Sequence, residues 1–240
     1  MELYNSLINR VEKVLEPFTP RSYAYDEAGC WAETRDFELV MARETAYELG
    51  GSSLPALSFS CVTSGSALVD RDEVCVYGPD LSELNSDSAY ARITLLRVGD
   101  IASDDENDTE TAFRAIQNID FVRYRVFPKG YMMRTSSESG REQVRISRSA
   151  LKSGLDFQKL GNLFIKHYHQ DPNVLNVRIV FVTLKNADYA ELAKIGRTVH
   201  DVTMSLSQIL KGLPQDCGSC NLKNICDEVE GMKELHFGKK

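Results

Sequence analysis

The residues best suited to chemistry are three cysteines within ten positions, Cys217, Cys220 and Cys226 of "CGSCNLKNIC". The Cys217-Gly-Ser-Cys220 turn lets two thiolates approach one metal centre, and Cys226 returns after five intervening residues to supply a third. A tetrahedral centre needs a fourth donor, for which Cys30, Cys61, Cys75, His236 or a second chain are the candidates. The spacing suits an iron–sulfur cluster of the four-iron (4Fe–4S) type. Structural zinc and a redox-active or metal-free thiol group are the alternatives. With six cysteines and no exported-protein signature, the thiols read as metal ligands or buried groups rather than disulfide partners. Cys61 and Cys75 sit inside apolar runs and are expected to pack as small buried hydrophobes.

A second concentration of chemistry is basic. Arg123, Arg125, Lys129, Arg134, Arg141, Arg145, Arg148 and Lys152 lie between Phe121 and Lys152, opposed there by Glu138 and Glu142. In a chain of net charge −7 such a segment can form a local site for phosphates or an acidic partner. Outward strand residues with paired charges are the plainer reading. Other signals are weaker. His167 and His169 are two apart and cannot share a helical face, and the adjacent His200 and Asp201 make no dyad. No glycine-rich phosphate loop, Ser-His-Asp set or paired-carboxylate signature supports a particular enzyme class, so no catalytic residue is assigned. The acidic run "SDDENDTET" lacks the glycine and terminal glutamate of a calcium loop and suits a solvated helix start.

Apolar periodicity supplies the elements that must carry these groups. "YNSLINRVEKVL" spaces Leu7, Ile8, Val11 and Leu15 on one helical face that stops before Pro17. Strand-like runs begin at Phe37 ("FELVMAR"), Leu57 ("LSFSCV"), Glu73 ("EVCVYG"), Ala91 ("ARITLLRV") and Asp120 ("DFVRYRVFP"). "LDFQKLGNLFIKHYH" places Leu155, Leu160, Leu163, Phe164 and Tyr168 on a helical face. "VLNVRIVFVTL" is the most strand-like run, and a helix is expected from about Ala187 to Leu210, stopped by Gly212 and Pro214. Strands and helices do not alternate regularly. The expectation is therefore an α+β fold, with a mixed or largely antiparallel sheet packed with helices over residues 1–212 and a short cysteine-rich tail over 213–240.

At 240 residues and 42% hydrophobic the chain can bury a sizeable core. Glu2, Asn5, Arg10, Glu12 and Lys13 interrupt the N-terminal apolar residues, and no apolar stretch approaches the ~20 residues of a membrane span. The expectation is a soluble, cytoplasmic protein, with no membrane partner and, given its acidity, no nucleic-acid partner. A homodimer sharing a metal centre through its tails is open.

Three stretches carry a family resemblance: "VYGPDLSEL" (Val76 to Leu84), "ARITLLRVGD", and "EQVRISRSALKSGLDFQKLGNLFIKHYHQDPNVLNVRIVFVT" (Glu142 to Thr183). In order and in the spacing of Gly154 and Gly161 they resemble the central region of acetyl-CoA synthase, the nickel–iron–sulfur beta subunit of the anaerobic carbon monoxide dehydrogenase complex. The resemblance spans about residues 45–205. It implies a contribution to a coenzyme A site, for which Arg145 and Arg148 are the candidates, and a cluster region beginning at Cys217 and Cys220. The chain departs from the family pattern after that point. The spacing to Cys226 is shorter, and no Cys-x-Cys is present to chelate the distal nickel. The resemblance thus implies an iron–sulfur accessory, electron-transfer or interaction protein of anaerobic one-carbon metabolism. An acyl- or methyl-transfer enzyme using coenzyme A or a corrinoid protein is the alternative, and a structural zinc protein the second.

Overall fold

The computed structural model describes residues 2–34, 38–51, 53–99, 106–136 and 140–211. They form an α+β arrangement in chain order: α1 (Glu2–Leu15), β1 (Arg21–Ala24), β2 (Thr45–Leu49), β3 (Ala56–Thr63), β4 (Glu73–Tyr77), β5 (Tyr90–Val98), α2 (Glu106–Phe121), β6 (Tyr131–Thr135), β7 (Glu142–Ser147), α3 (Arg148–Lys152), α4 (Phe157–Tyr168), β8 (Val174–Val182) and α5 (Tyr189–Lys211). A five-stranded sheet has the order β1-β4-β8-β5-β3, and a three-stranded sheet the order β2-β7-β6. The larger sheet is mixed: β4 runs parallel to β8 and β3 parallel to β5, while the β1–β4 and β5–β8 pairs are antiparallel. The smaller one is antiparallel throughout.

Side-chain alternation assigns the helices to faces. Phe59 of β3 meets Gly196 of α5. Ser60 of β3 and Arg92 of β5, one residue out of phase with Phe59 and its neighbour Ile93, reach Tyr168 and Phe164 of α4. Helices α1 and α5 therefore cover one face and α4 the other. α1 buries Tyr4, Leu7, Ile8, Val11 and Leu15 at helical spacing and ends ahead of Pro17. α4 starts where Asp156 accepts the Lys159 N–H at 2.8 Å and buries Leu160, Leu163, Phe164 and Tyr168. Gly161 lets this helix approach β4 closely, since a Cβ there would lie 2.4 Å from Val74 Cγ2.

Two expected strands are not strands. The "FELVMAR" run yields no strand among its described residues: Val40 donates its N–H to the Met132 sulfur, and Leu39 and Met41 are exposed. The paired strand is the following segment, β2. "DFVRYRVFP" is the end of α2 followed by a 3-10 turn, Val122–Tyr124, because Arg123 turns inward and Phe121 outward. α2 itself begins inside the acidic run. No helix among the described residues is long and apolar enough to cross a membrane.

Candidate functional site

Cys217, Cys220 and Cys226, together with His236, lie outside the described residues; α5 ends six positions before the first of them. The described thiols can be compared as donors. Cys61 on β3 is fully buried, and burial, with Asp120 nearby, pushes its pKa up. Burial also raises Cys75 on β4, with the Ser22 hydroxyl at 3.6 Å opposing it. Thiols held protonated inside strands make poor metal ligands and nucleophiles. Cys30 is half-buried, raised chiefly by burial and pulled back by Lys166, so among the described cysteines it alone has solvent access. No group of three or more His, Cys, Asp and Glu side chains suited to a metal ion occurs among the described residues.

The two arginines expected at a cofactor site are close in sequence but separately engaged. Arg145 on β7 lies opposite Glu48 on β2, and its Nε donates to Glu48 Oε1 at 2.7 Å. Arg148, the first residue of α3, donates to the Arg43 carbonyl at 2.7 Å. Coenzyme A phosphates would have to compete with these contacts.

Chemistry that sequence reading left unassigned lies between the two sheets. Arg92 is fully buried: its Nε donates to Glu142 Oε1 at 2.8 Å, its Nη2 to Oε2, and its guanidinium stacks 4.2 Å above the Phe164 ring. The Tyr90 and Tyr131 hydroxyls meet at 2.6 Å beside the same carboxylate, and Thr135 Oγ1 donates to it at 3.3 Å. Burial opposes the Arg92 charge, but attraction and hydrogen bonding to Glu142 outweigh it and raise the pKa. A second buried pair stands nearby. Arg123 Nη2 donates to Asp120 Oδ2 at 3.2 Å and to the Tyr124 hydroxyl at 2.9 Å, while Nη1 donates to the Ser58 carbonyl at 3.1 Å. Burial raises the Asp120 pKa, with Arg123 pulling it down. Arg92 Nη1, Arg123 Nε and Asp120 Oδ1 have no hydrogen-bond partner among the described residues. An arginine inside the otherwise apolar "YARITLL" was the available signal for this cluster.

The junction fixes the small sheet to the large one and holds its protons tightly. Burial pushes the Tyr90, Tyr131 and Tyr168 hydroxyls up, so none is poised as a base near neutral pH. The chain matches no protein-family model, and no curated protein matches it.

Proposed function

We propose that this chain is an iron–sulfur accessory or electron-transfer protein of acetyl-CoA synthase type, acting in anaerobic one-carbon metabolism in the cytoplasm. The observation that carries the reading is the Cys217, Cys220 and Cys226 set following the docked helix α5. Its chemistry fits the group: three cysteines within ten residues provide thiolates for one centre, and the bound cluster would supply one-electron chemistry. The buried, protonated Cys61 and Cys75 are poor fourth ligands, which leaves Cys30, His236 or a second chain. Three separated stretches resembling acetyl-CoA synthase also support it. They contribute β5, β8, the end of β4 and the turn that follows it, together with α4, which packs against β4 and β8; β4, β8 and β5 are neighbours at the centre of the large sheet.

The test is metal and acid-labile sulfide content, with the visible spectrum, on protein purified without oxygen. About four irons per chain, lost in Cys220→Ser with the fold retained, is the expected result. Zinc alone would convert the tail into a structural clip, and full iron content in Cys220→Ser would remove the assignment. Transfer of acyl or methyl groups through coenzyme A is the lesser reading, because Arg145 and Arg148 are already engaged.

A further inference from the structure

The end of the small sheet where β2 and β6 begin and β7 finishes is crowded with positive charge. Arg43 stands just before β2, Lys129 just before β6, and Arg148 and Lys152 lie on α3 directly after β7. Arg148 donates to the Arg43 carbonyl at 2.7 Å and the Ser147 N–H to the Gly130 carbonyl at 2.9 Å, which draws these segments together. Arg125 and, on β6, Arg134 extend the surface. All six residues are exposed, and none forms an ion pair among the described residues. Elsewhere the chain pairs its arginines: Arg10, Arg21, Arg92, Arg123 and Arg178 each meet a carboxylate. Glu38 and Glu44 stand within the basic surface, and the Glu38 carboxylate already accepts the Gly130 N–H at 2.7 Å. The balance stays positive in a chain whose net charge is −7.

Apolar groups lie within the same surface. Leu39 is 61% and Met41 45% exposed. Beside them opens a cavity of about 180 Å³, walled by Phe127, Pro128, Met132 and Met133. Arg125, Lys129 and Arg134 each adjoin a lining residue in the chain, and Leu39 follows Glu38, which also lines it. Arg123 borders the cavity too, but its charge is spent on Asp120. An apolar centre inside a rim of one sign is the anatomy of a protein contact steered by charge. The cavity suits one anchoring side chain, since a cavity of about 150 Å³ holds benzene and thioethers adapt to aliphatic and aromatic shapes alike. Nucleic acid would supply the charge without that anchor, and an anionic bilayer would set its charge against Glu38 and Glu44 as well. We infer that this end of the molecule docks an acidic protein, which places carboxylates on the basic rim and one aromatic or aliphatic side chain in the cavity. The surface belongs to the α+β body and uses none of the tail cysteines, so it stands apart from the iron–sulfur reading.

Fluorescence anisotropy on the full chain tests it with a labelled, glutamate-rich helical peptide that carries one phenylalanine. Its controls are the same peptide with alanine for phenylalanine, the same peptide with lysine for glutamate, and vesicles of phosphatidylserine and phosphatidylcholine. The acidic peptide should bind, its alanine form about ten-fold more weakly, and its lysine form not at all. The double variant Lys129→Glu, Arg134→Glu changes two exposed positions and should weaken the acidic peptide about ten-fold or more with the melting temperature unchanged. No binding by the acidic peptide, equal binding of its alanine form, or undiminished binding by the folded double variant overturns the inference. Vesicle binding that the double variant abolishes, with no peptide binding, would assign the surface to a membrane and overturn it equally.

Discussion

The Arg92 guanidinium on β5 and the Glu142 carboxylate on β7 form a two-bond pair with neither side chain exposed, so the two sheets are joined at their core by opposite charges. Such a pair is costly to desolvate and costlier to break. Glu142→Gln should therefore lose about 3–5 kcal/mol of unfolding free energy, because Arg92 is left buried without its counter-charge. The double variant Arg92→Met, Glu142→Leu should recover most of that loss. Urea denaturation decides between them, and a double variant as unstable as the single one would contradict this account.

Asp80 gives a pH dependence with a defined sign. Its Oδ1 accepts the Leu81 N–H at 2.6 Å and the Phe157 N–H at 3.0 Å, tying a 3-10 turn to the start of α4. Burial raises its pKa above the ordinary 3.8, with those two backbone bonds opposing. A raised carboxyl contributes its stability below the ordinary value and loses it as pH rises through the folded value. Asp80→Asn keeps the acceptor and removes the titration, so it should gain stability relative to wild type between about pH 3 and about pH 7. Urea midpoints of the two proteins across that range check the sign; a constant difference would refute it.

Gly161→Ala sets two effects against each other. Alanine is the better helix former by up to about 1 kcal/mol. Its Cβ, however, would sit 2.4 and 2.6 Å from the two Val74 methyl groups, with the Val74 Cβ only 3.0 Å away, so the backbone must move. The clash should win, leaving the variant about 1–3 kcal/mol less stable. Adding Val74→Ala should return part of the loss, and thermal unfolding of the three proteins reads it out.

Thiol labelling of the folded protein should modify Cys30 well before Cys61 or Cys75. Burial holds all three protonated, but only Cys30 combines solvent access with a neighbouring cation, Lys166. Mass mapping after brief alkylation checks the order, and early modification of Cys61 would mean that β3 opens readily.

Leu163→Asp should prevent folding, since Leu163 is buried in α4 and would carry an unpaired charge inward. A soluble variant with unchanged melting behaviour would contradict that packing.

Where periodicity was strong, the sequence was enough. α1, α4, α5 and strands β3, β4, β5 and β8 follow from apolar spacing, because each buries one face or both against the large sheet. The short strands β1, β2 and β6 did not stand out, being four or five residues long and partly exposed. Alternation misled at "DFVRYRVFP" because Arg123 counted as an outward charge although it is buried. Charge density likewise drew attention to Arg145 and Arg148. Their contacts, Glu48 and the Arg43 carbonyl, are 97 and 105 residues away, and only the fold brings them together.

β3 is the last strand of the large sheet, yet every one of its residues is buried. At Ser58 both outward ladder groups are occupied, the N–H by the Gly140 carbonyl and the carbonyl by Arg123. An unprotected strand of that apolar character would template pairing with a second molecule. The small sheet and its neighbouring arginine thus act as a guard on this edge, and loosening them would expose β3 as a template for fibrous pairing before the rest of the chain unfolded.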